Sequence, residues 1–258
     1  MSTIIYPSPI FGPVHSRRLG ISLGINLLPG DGKVCSFDCI YCECGLNASH
    51  RPHAKFPTVE HVVETLEKKI MELREQCITP DVFTFAGNGE PTLHPHFTEV
   101  VPAVKEVRDR LCPKAKLSIL SNATQIHRSE ICDTLLLFDN NIQKLDTVNL
   151  DYIRRVDRPH SSYSVESQIS NLALFNGKVI IQTMFMRGMV DGESVDNTGE
   201  EYVQPYLNAL QVIGPRQVMI YTIDRETPVS GLLKAAPCQL DDIARRIREL
   251  GIEVSVSY

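Results

Sequence analysis

No stretch of the chain approaches the 18 consecutive apolar residues that a membrane-spanning helix needs, so no membrane span is expected. The opening MSTIIYPSPIFGP has no basic segment followed by an apolar one, and three prolines interrupt it. No secretory signal is therefore expected, and the cytoplasm is the default compartment. Excess positive charge is missing too: 31 acidic against 26 basic residues leave a net charge of −5, which argues against broad nonspecific attraction to nucleic acid. Nor is there the polar bias that prevents folding, because 43% of the residues are hydrophobic. No internal repeat, low-complexity tract or linker divides the chain. What remains is a folded protein of 258 residues, a size common among barrel-like α/β folds, read as one domain over 1–258.

Hydrophobic periodicity alternates along the chain. Residues 20–28 (GISLGINLL) read as a first strand, after an extended, proline-rich N-terminal extension over 1–19 that is expected to pack on the domain. TVEHVVETLEKKIMELREQ then repeats apolar residues at helical spacing, with Thr58 as cap. The alternation continues through the strands DVFTFAG, KLSILSN, LDTVNLD, KVIIQTMFM and QVMIYTI, each followed by a helical pattern, and IEVSVSY ends the chain as a last strand or edge piece. Six strand–helix units with near-continuously apolar strands imply a parallel sheet with helices outside. The longest loops, residues 29–57 and 187–199, follow strands, on the face where ligands sit in such folds. The second, RGMVDGESVDNTGEE, reads as an acidic loop, either a closure over substrate or a solvated excursion.

Four of the eight cysteines fall within the ten residues CSFDCIYCEC. A structural zinc knot would need a second cysteine or histidine pair, and none is visible. Cys39 and Cys42 form the C-x-x-C spacing of a redox motif, but such motifs open a helix in a smaller fold and leave Cys35 unexplained. Three thiolates from one tight loop suit an iron–sulfur cluster, since soft ligands match iron and a short loop can hold three corners of a four-iron cube. A second motif, GNGEPTLHP, leaves the strand DVFTFA. Its glycines let backbone approach a ligand, and Glu90 offers an acceptor for an ammonium group; the plain alternative is a Gly-Pro turn with a solvated glutamate.

Together the two motifs, on consecutive strands, resemble the radical S-adenosylmethionine superfamily: CSFDCIYC answers to CxxxCxxC, with Tyr41 before the last cysteine, and GNGEP to the family's GGEP-like element. GPVHSRRLGISLGINLLPGDGKVCSFDCIYC, FAGNGEPTLHP and VMIYTIDR look like the small iron–sulfur oxidoreductases grouped with tRNA wyosine synthases. Wyosine synthases carry a second cluster on earlier cysteines, and this chain has no cysteine before Cys35, so tight tRNA binding is not expected.

The resemblance implies a partial (β/α)6 barrel of the radical SAM type. It implies that Cys35, Cys39 and Cys42 hold a [4Fe-4S] cluster whose open iron takes S-adenosyl-L-methionine, with a one-electron donor such as flavodoxin or ferredoxin as partner. Gly87, Asn88, Gly89, Glu90 and Pro91 would bind the methionine amino group, Ser121 and Asn122 the ribose, and Tyr41 the adenine through its backbone. Asp151, Gln182 and Tyr221 are expected at later strand ends facing the same mouth, with loop capping as the alternative. The implied function is hydrogen abstraction from a substrate the sequence does not name, a modified nucleoside or RNA being one class. A glycyl-radical-enzyme activase and a plain iron–sulfur electron carrier are the alternatives. Arg17 and Arg18 suit a substrate anion or surface charge, His94 and His96 receive no role, and Cys44 is expected to be a non-ligand. Cys77, Cys112, Cys132 and Cys238 read as buried small hydrophobes.

Overall fold

The computed structural model describes residues 3–16 and 20–258, so the expectation for Arg17 and Arg18 lies outside the described residues. The strands are β1 (Ile10–Ser16), β2 (Gly20–Ile25), β3 (Val82–Phe85), β4 (Lys116–Ser121), β5 (Asn140–Lys144), β6 (Ile180–Met184), β7 (Met186–Val190), β8 (Glu193–Ser194), β9 (Gln217–Tyr221), β10 (Leu232–Lys234) and β11 (Glu253–Ser257). The helices are α1 (Val59–Glu75), α2 (Phe97–Leu111), α3 (Ser129–Leu135), α4 (Leu150–Val156), α5 (Val165–Ala173), α6 (Glu200–Ile213) and α7 (Pro237–Glu249). The main sheet runs β1-β2-β3-β4-β5-β6-β9-β11, parallel throughout except for β1, which pairs antiparallel with β2. This is the partial (β/α)6 barrel of the radical SAM type, with helices outside a curved parallel sheet. Among the described residues no helix is long and apolar enough to cross a membrane.

The helices follow from their sequences. Thr58 caps α1 by accepting from the backbone N–H of His61, and Val62, Leu66, Ile70 and Leu73 recur on one buried stripe. Helix α6 stops at Gly214, which takes the left-handed conformation. Outward-pointing strand residues such as Leu23, Ile25, Phe83, Phe85, Leu117 and Ile119 form the main core with these stripes. Because β3 is covered on both sides, all four of its residues are buried.

Two segments depart from the sequence pattern. The expected strand LDTVNLD is not one: β5 starts at Asn140 and reads NNIQK. Asn140 donates to Ser118 at 2.9 Å and Gln143 to Asn141 at 2.6 Å, while among the described residues the Asn141 amide nitrogen and the Gln143 side-chain oxygen are buried without a partner. Asn149 caps α4 instead, accepting from the N–H of Tyr152 at 2.9 Å, so the residues after it are helical. The expected loop RGMVDGESVDNTGEE contains the hairpin β7–β8, which joins β10 in a small antiparallel sheet, with Met186 and Val190 buried beneath it.

At the other edge, the extended N-terminal segment adds β1 to the sheet, with Ile10 opposite Ile25. The Phe11 ring lies flat on Gly24: a Cβ there would meet three of its ring atoms at 2.2–2.4 Å. Gly24→Val is expected to overpack this contact at a cost of about 1–3 kcal/mol and to lift β1 from β2. Hydrogen exchange should then quicken in residues 10–16 and leave β3 and β4 protected; unchanged exchange in β1 would show that Phe11 does not hold it.

Candidate functional site: a cysteine loop over a barrel cavity

The cysteine loop follows β2 and is anchored on two sides. On one side Val34 N donates to Asn88 O at 2.9 Å and Glu90 N donates to Val34 O at 3.0 Å, a one-residue parallel bridge between Val34 and Gly89. Only glycine fits this bridge: φ at Gly89 is +128°, and a Cβ would stand 1.9 Å from Val34 O. On the other side Asp38 N donates to Asp157 O and Ile40 N to Val156 O, both at 2.9 Å, which docks the loop on the C-terminal end of α4.

Within the loop, the buried Lys33 ammonium donates to Gly45 O at 2.6 Å, and the thiols of Cys42, Cys35 and Cys39 favour its charge against burial. Burial pushes the Cys35 thiol up to about 12 and Cys39 well above the usual thiol range. A hydrogen bond with Cys44 pulls Cys42 down to about 6 against burial, helped by Lys33. Cys44 itself is driven upward by that same hydrogen bond and by burial, and it donates to Gly87 O at 3.3 Å. Among the described residues no three His, Cys, Asp or Glu side chains close on a single metal ion. Cys35, Cys39 and Cys42 are soft donors carried on one loop, the ligand type that iron–sulfur clusters take.

Beneath the loop, the barrel holds an open-mouthed cavity of about 380 Å³. Its walls are the inward residues of the strands, mostly apolar: Phe11, Leu120, Ile142, Met184 and Met219. Of the residues singled out from the sequence, Tyr41, Cys42, Gly87, Gln182 and Tyr221 line it, as does Cys44. Asn88, Glu90, Pro91, Ser121 and Asn122 are buried behind it. Asn88 is fully buried and ties the N-terminal segment down, donating to Tyr6 O at 2.9 Å and Pro29 O at 2.8 Å. Glu90, 1% exposed, is no free acceptor: it takes hydrogen bonds from Thr92 N, Thr92 Oγ1 and Asn122 N, the last at 2.6 Å, and Ser121 also reaches it. Burial raises its carboxyl above the usual range in spite of these donors. Asn122 in turn donates to Ser36 Oγ at 2.9 Å and to the Cys35 thiol at 3.5 Å. Pro91 is buried at the start of the single turn that follows.

The structure does not bring Asp151 to the cavity. Its side chain is 82% exposed on α4 beside Arg154, because the strand it was expected to end lies earlier in the chain. The carboxylate at the strand end is Asp146, which sequence reasoning missed. Asp146 accepts from Tyr41 Oη and from Met184 N, and it shares Lys144 with Asp157, at 2.8 and 2.6 Å. The Lys144 ammonium also lies 5.2 Å from the Phe37 ring centroid and 5.6 Å from that of Tyr41. Burial opposes its charge, yet the two carboxylates hold it well above the usual lysine range; burial likewise pushes Asp157 up to about 6 against Lys144. The signal for this group was a run of polar residues, QKLD, next to a strand, a pattern that also describes any surface turn.

Other expectations resolve locally. His94 is held by Pro57 O and by His96 N, and His96 by Glu99. Cys112 is buried and Cys132 half-buried, but Cys77 and Cys238 are exposed: Cys77 takes a left-handed turn conformation past the end of α1, and Cys238 lies in the first turn of α7, outside its buried stripe.

No family model matches the chain. The UPF0026 proteins of two Helicobacter pylori strains, J99 and 26695, are 33% and 32% identical to it over 220 and 223 residues. These matches cover 84% and 85% of this chain, which spans 66% and 67% of the lengths of those relatives. The chain belongs to the UPF0026 family. Among solved structures, a radical SAM methyltransferase from Sphaerobacter thermophilus superposes with a TM-score of 0.67 at 15% identity, over 91% of this UPF0026 chain and 65% of that one. TYW1 with a lysine–pyruvate adduct bound gives a TM-score of 0.63 at 16% identity, over 88% and 73%. At such identities the likeness is one of fold, and that fold is the radical SAM fold, as the resemblance implied.

Gly89→Ala is expected to break the bridge to Val34, at a cost of about 1–3 kcal/mol from the backbone conformation alone. The released loop should expose its buried thiols, so labelling of Cys39 and Cys44 by a thiol reagent should accelerate ahead of global unfolding. Labelling at the wild-type rate would mean that the bridge does not hold the loop.

Proposed function

We propose that this UPF0026 protein is a radical SAM enzyme, a single domain in which Cys35, Cys39 and Cys42 hold a [4Fe-4S] cluster and the cavity below takes S-adenosylmethionine and substrate. The observation that carries this reading is the bridge that fixes a three-thiol loop against a glycine segment at the mouth of a mostly apolar cavity. When bound, the cluster supplies one electron for cleavage of S-adenosylmethionine to a 5′-deoxyadenosyl radical, which takes a hydrogen atom from substrate. The residues do the rest. Gly87, Tyr41, Gln182 and Tyr221 face the cavity and are placed to meet the cofactor, while Asn88, Glu90, Ser121 and Asn122 hold the walls that present it. Apolar side chains below them exclude water from reactive species.

Burial would keep the Cys35 and Cys39 thiols protonated, so loading the cluster would release protons. Cys44 is engaged with Cys42 and Gly87 O, which supports a three-cysteine set with one open iron over the four-cysteine set of an electron carrier. The electron would come from a protein of the flavodoxin or ferredoxin kind. No lysine or arginine lines the cavity among the described residues, so a lysine adduct like that bound by TYW1 has no counterpart there. The net charge of −5 likewise supports a substrate other than tightly held tRNA.

Anaerobic reconstitution with iron and sulfide, followed by dithionite and S-adenosylmethionine, is expected to yield 5′-deoxyadenosine; none above a no-enzyme control, with a full cluster present, would sink the reading. Cys44→Ala is expected to retain about four irons per chain and the wild-type spectrum, while alanine at Cys35, Cys39 or Cys42 loses the cluster. If Cys44→Ala lost it and Cys35→Ala kept it, the ligand set would be wrong.

A further inference from the structure

The two buried lysines near the cysteine loop are compensated differently. Lys144 is neutralised by its own carboxylates, Asp146 at 2.8 Å and Asp157 at 2.6 Å. Lys33 is not. Its side chain is 1% exposed, its only carboxylate among the described residues is Asp38 at 3.5 Å, and Asp38 already accepts from Asn47 N at 2.8 Å. The closest partner of the Lys33 ammonium is the carbonyl of Gly45 at 2.6 Å, and Gly45 N donates in turn to Cys42 O at 2.9 Å. A buried ammonium with one distant carboxylate is costly, because interior charges persist when paired and hydrogen-bonded. Lys33 instead sits at the foot of the cysteine loop, lining one cleft with Cys35, where the nearby thiols favour its charge against burial.

We propose that Lys33 is a positioning residue for the cluster, a buried counter-charge that holds the loop closed and makes the reduction potential less negative than the three thiolates alone would set it. The inference rests on the cluster reading above and adds a residue that neither motif contains. A thiolate-bound cluster carries net negative charge, and each further electron adds to it. A fixed cation at the foot of the loop favours the reduced form and the bound form together, through its charge. The plainer alternative is that Lys33 merely bridges to Gly45 as a strut for the loop. That role needs a donor but no charge, and the two roles separate by substitution.

The full chain, wild type and with Lys33→Met, Lys33→Gln or Lys33→Arg, would be reconstituted anaerobically with iron and sulfide. Each protein would be titrated potentiometrically under EPR and challenged with an iron chelator. Lys33→Met and Lys33→Gln are expected to shift the midpoint potential more negative and to release iron about 10–100-fold faster, while Lys33→Arg stays near wild type. If the two neutral variants retain no cluster at all while Lys33→Arg does, the charge is again what matters and the proposal stands. A wild-type potential and release rate in Lys33→Gln would overturn it, since glutamine keeps a donor toward Gly45 without the charge; so would a Lys33→Arg variant as impaired as Lys33→Met. Failure of the wild type itself to take up a cluster would bring down the cluster reading and this inference with it, an outcome distinct from a loaded wild type matched by Lys33→Gln.

Discussion

The Val34–Gly89 bridge is the contact on which the rest of the site depends. Two backbone hydrogen bonds and one close approach fix the cysteine loop to the segment that leaves the next strand, and no side chain larger than hydrogen fits between them. Every other feature hangs from that junction. The Gly87 carbonyl reaches Cys44 because the segment is held there, and Glu90 can turn inward to collect Asn122 from the following strand. Three consecutive strand ends, β2, β3 and β4, are thereby tied at one level without a long side chain crossing the cavity.

Polarity is then divided between two places. Charged groups that the fold must bury sit beside the loop, where Lys144, Asp146, Asp157 and Tyr41 satisfy one another, and the space below the loop is left to apolar walls. Position along the strand makes the division: Ile142 and Lys144 share one face of β5, Ile142 lining the cavity while Lys144, at the strand's end, reaches the carboxylates. A low-dielectric chamber under a polar collar strengthens any electrostatic interaction made at the boundary between them.

Much of this was legible in the sequence, and for local reasons. Helices α1, α2, α6 and α7 are visible because their apolar stripes and caps are encoded within one segment, and the cysteine and glycine motifs are visible because spacing alone defines them. What was not legible depends on partners far along the chain. Strand β5 was hidden because Asn140 and Lys144 find their partners on other elements, and misplacing it put Asp151 at the mouth in place of Asp146. Glu90 reads as a ligand for an ammonium group because nothing nearby in sequence foretells Asn122, 32 residues on, as its donor. The pairing of β1 with β2 was likewise hidden behind prolines, which an edge strand accepts.

Cys44 shows how a residue outside the ligand spacing can still belong to the site. Two residues beyond Cys42, it cannot serve the same loop geometry as Cys35 and Cys39, and the structure gives its thiol other work: contact with Cys42 on one side and the Gly87 carbonyl on the other. It thereby links the cysteine loop to the glycine segment a second time, on the cavity side, where the Val34 bridge does not reach. The two links act at different depths. The backbone bridge sets the register between the segments, and the thiol contact fixes how far the end of the loop leans over the chamber. The Gly87 carbonyl already accepts from Gly89 N at 2.9 Å, so an apolar residue at position 44 would remove the tie between loop and glycine segment rather than strand a polar group.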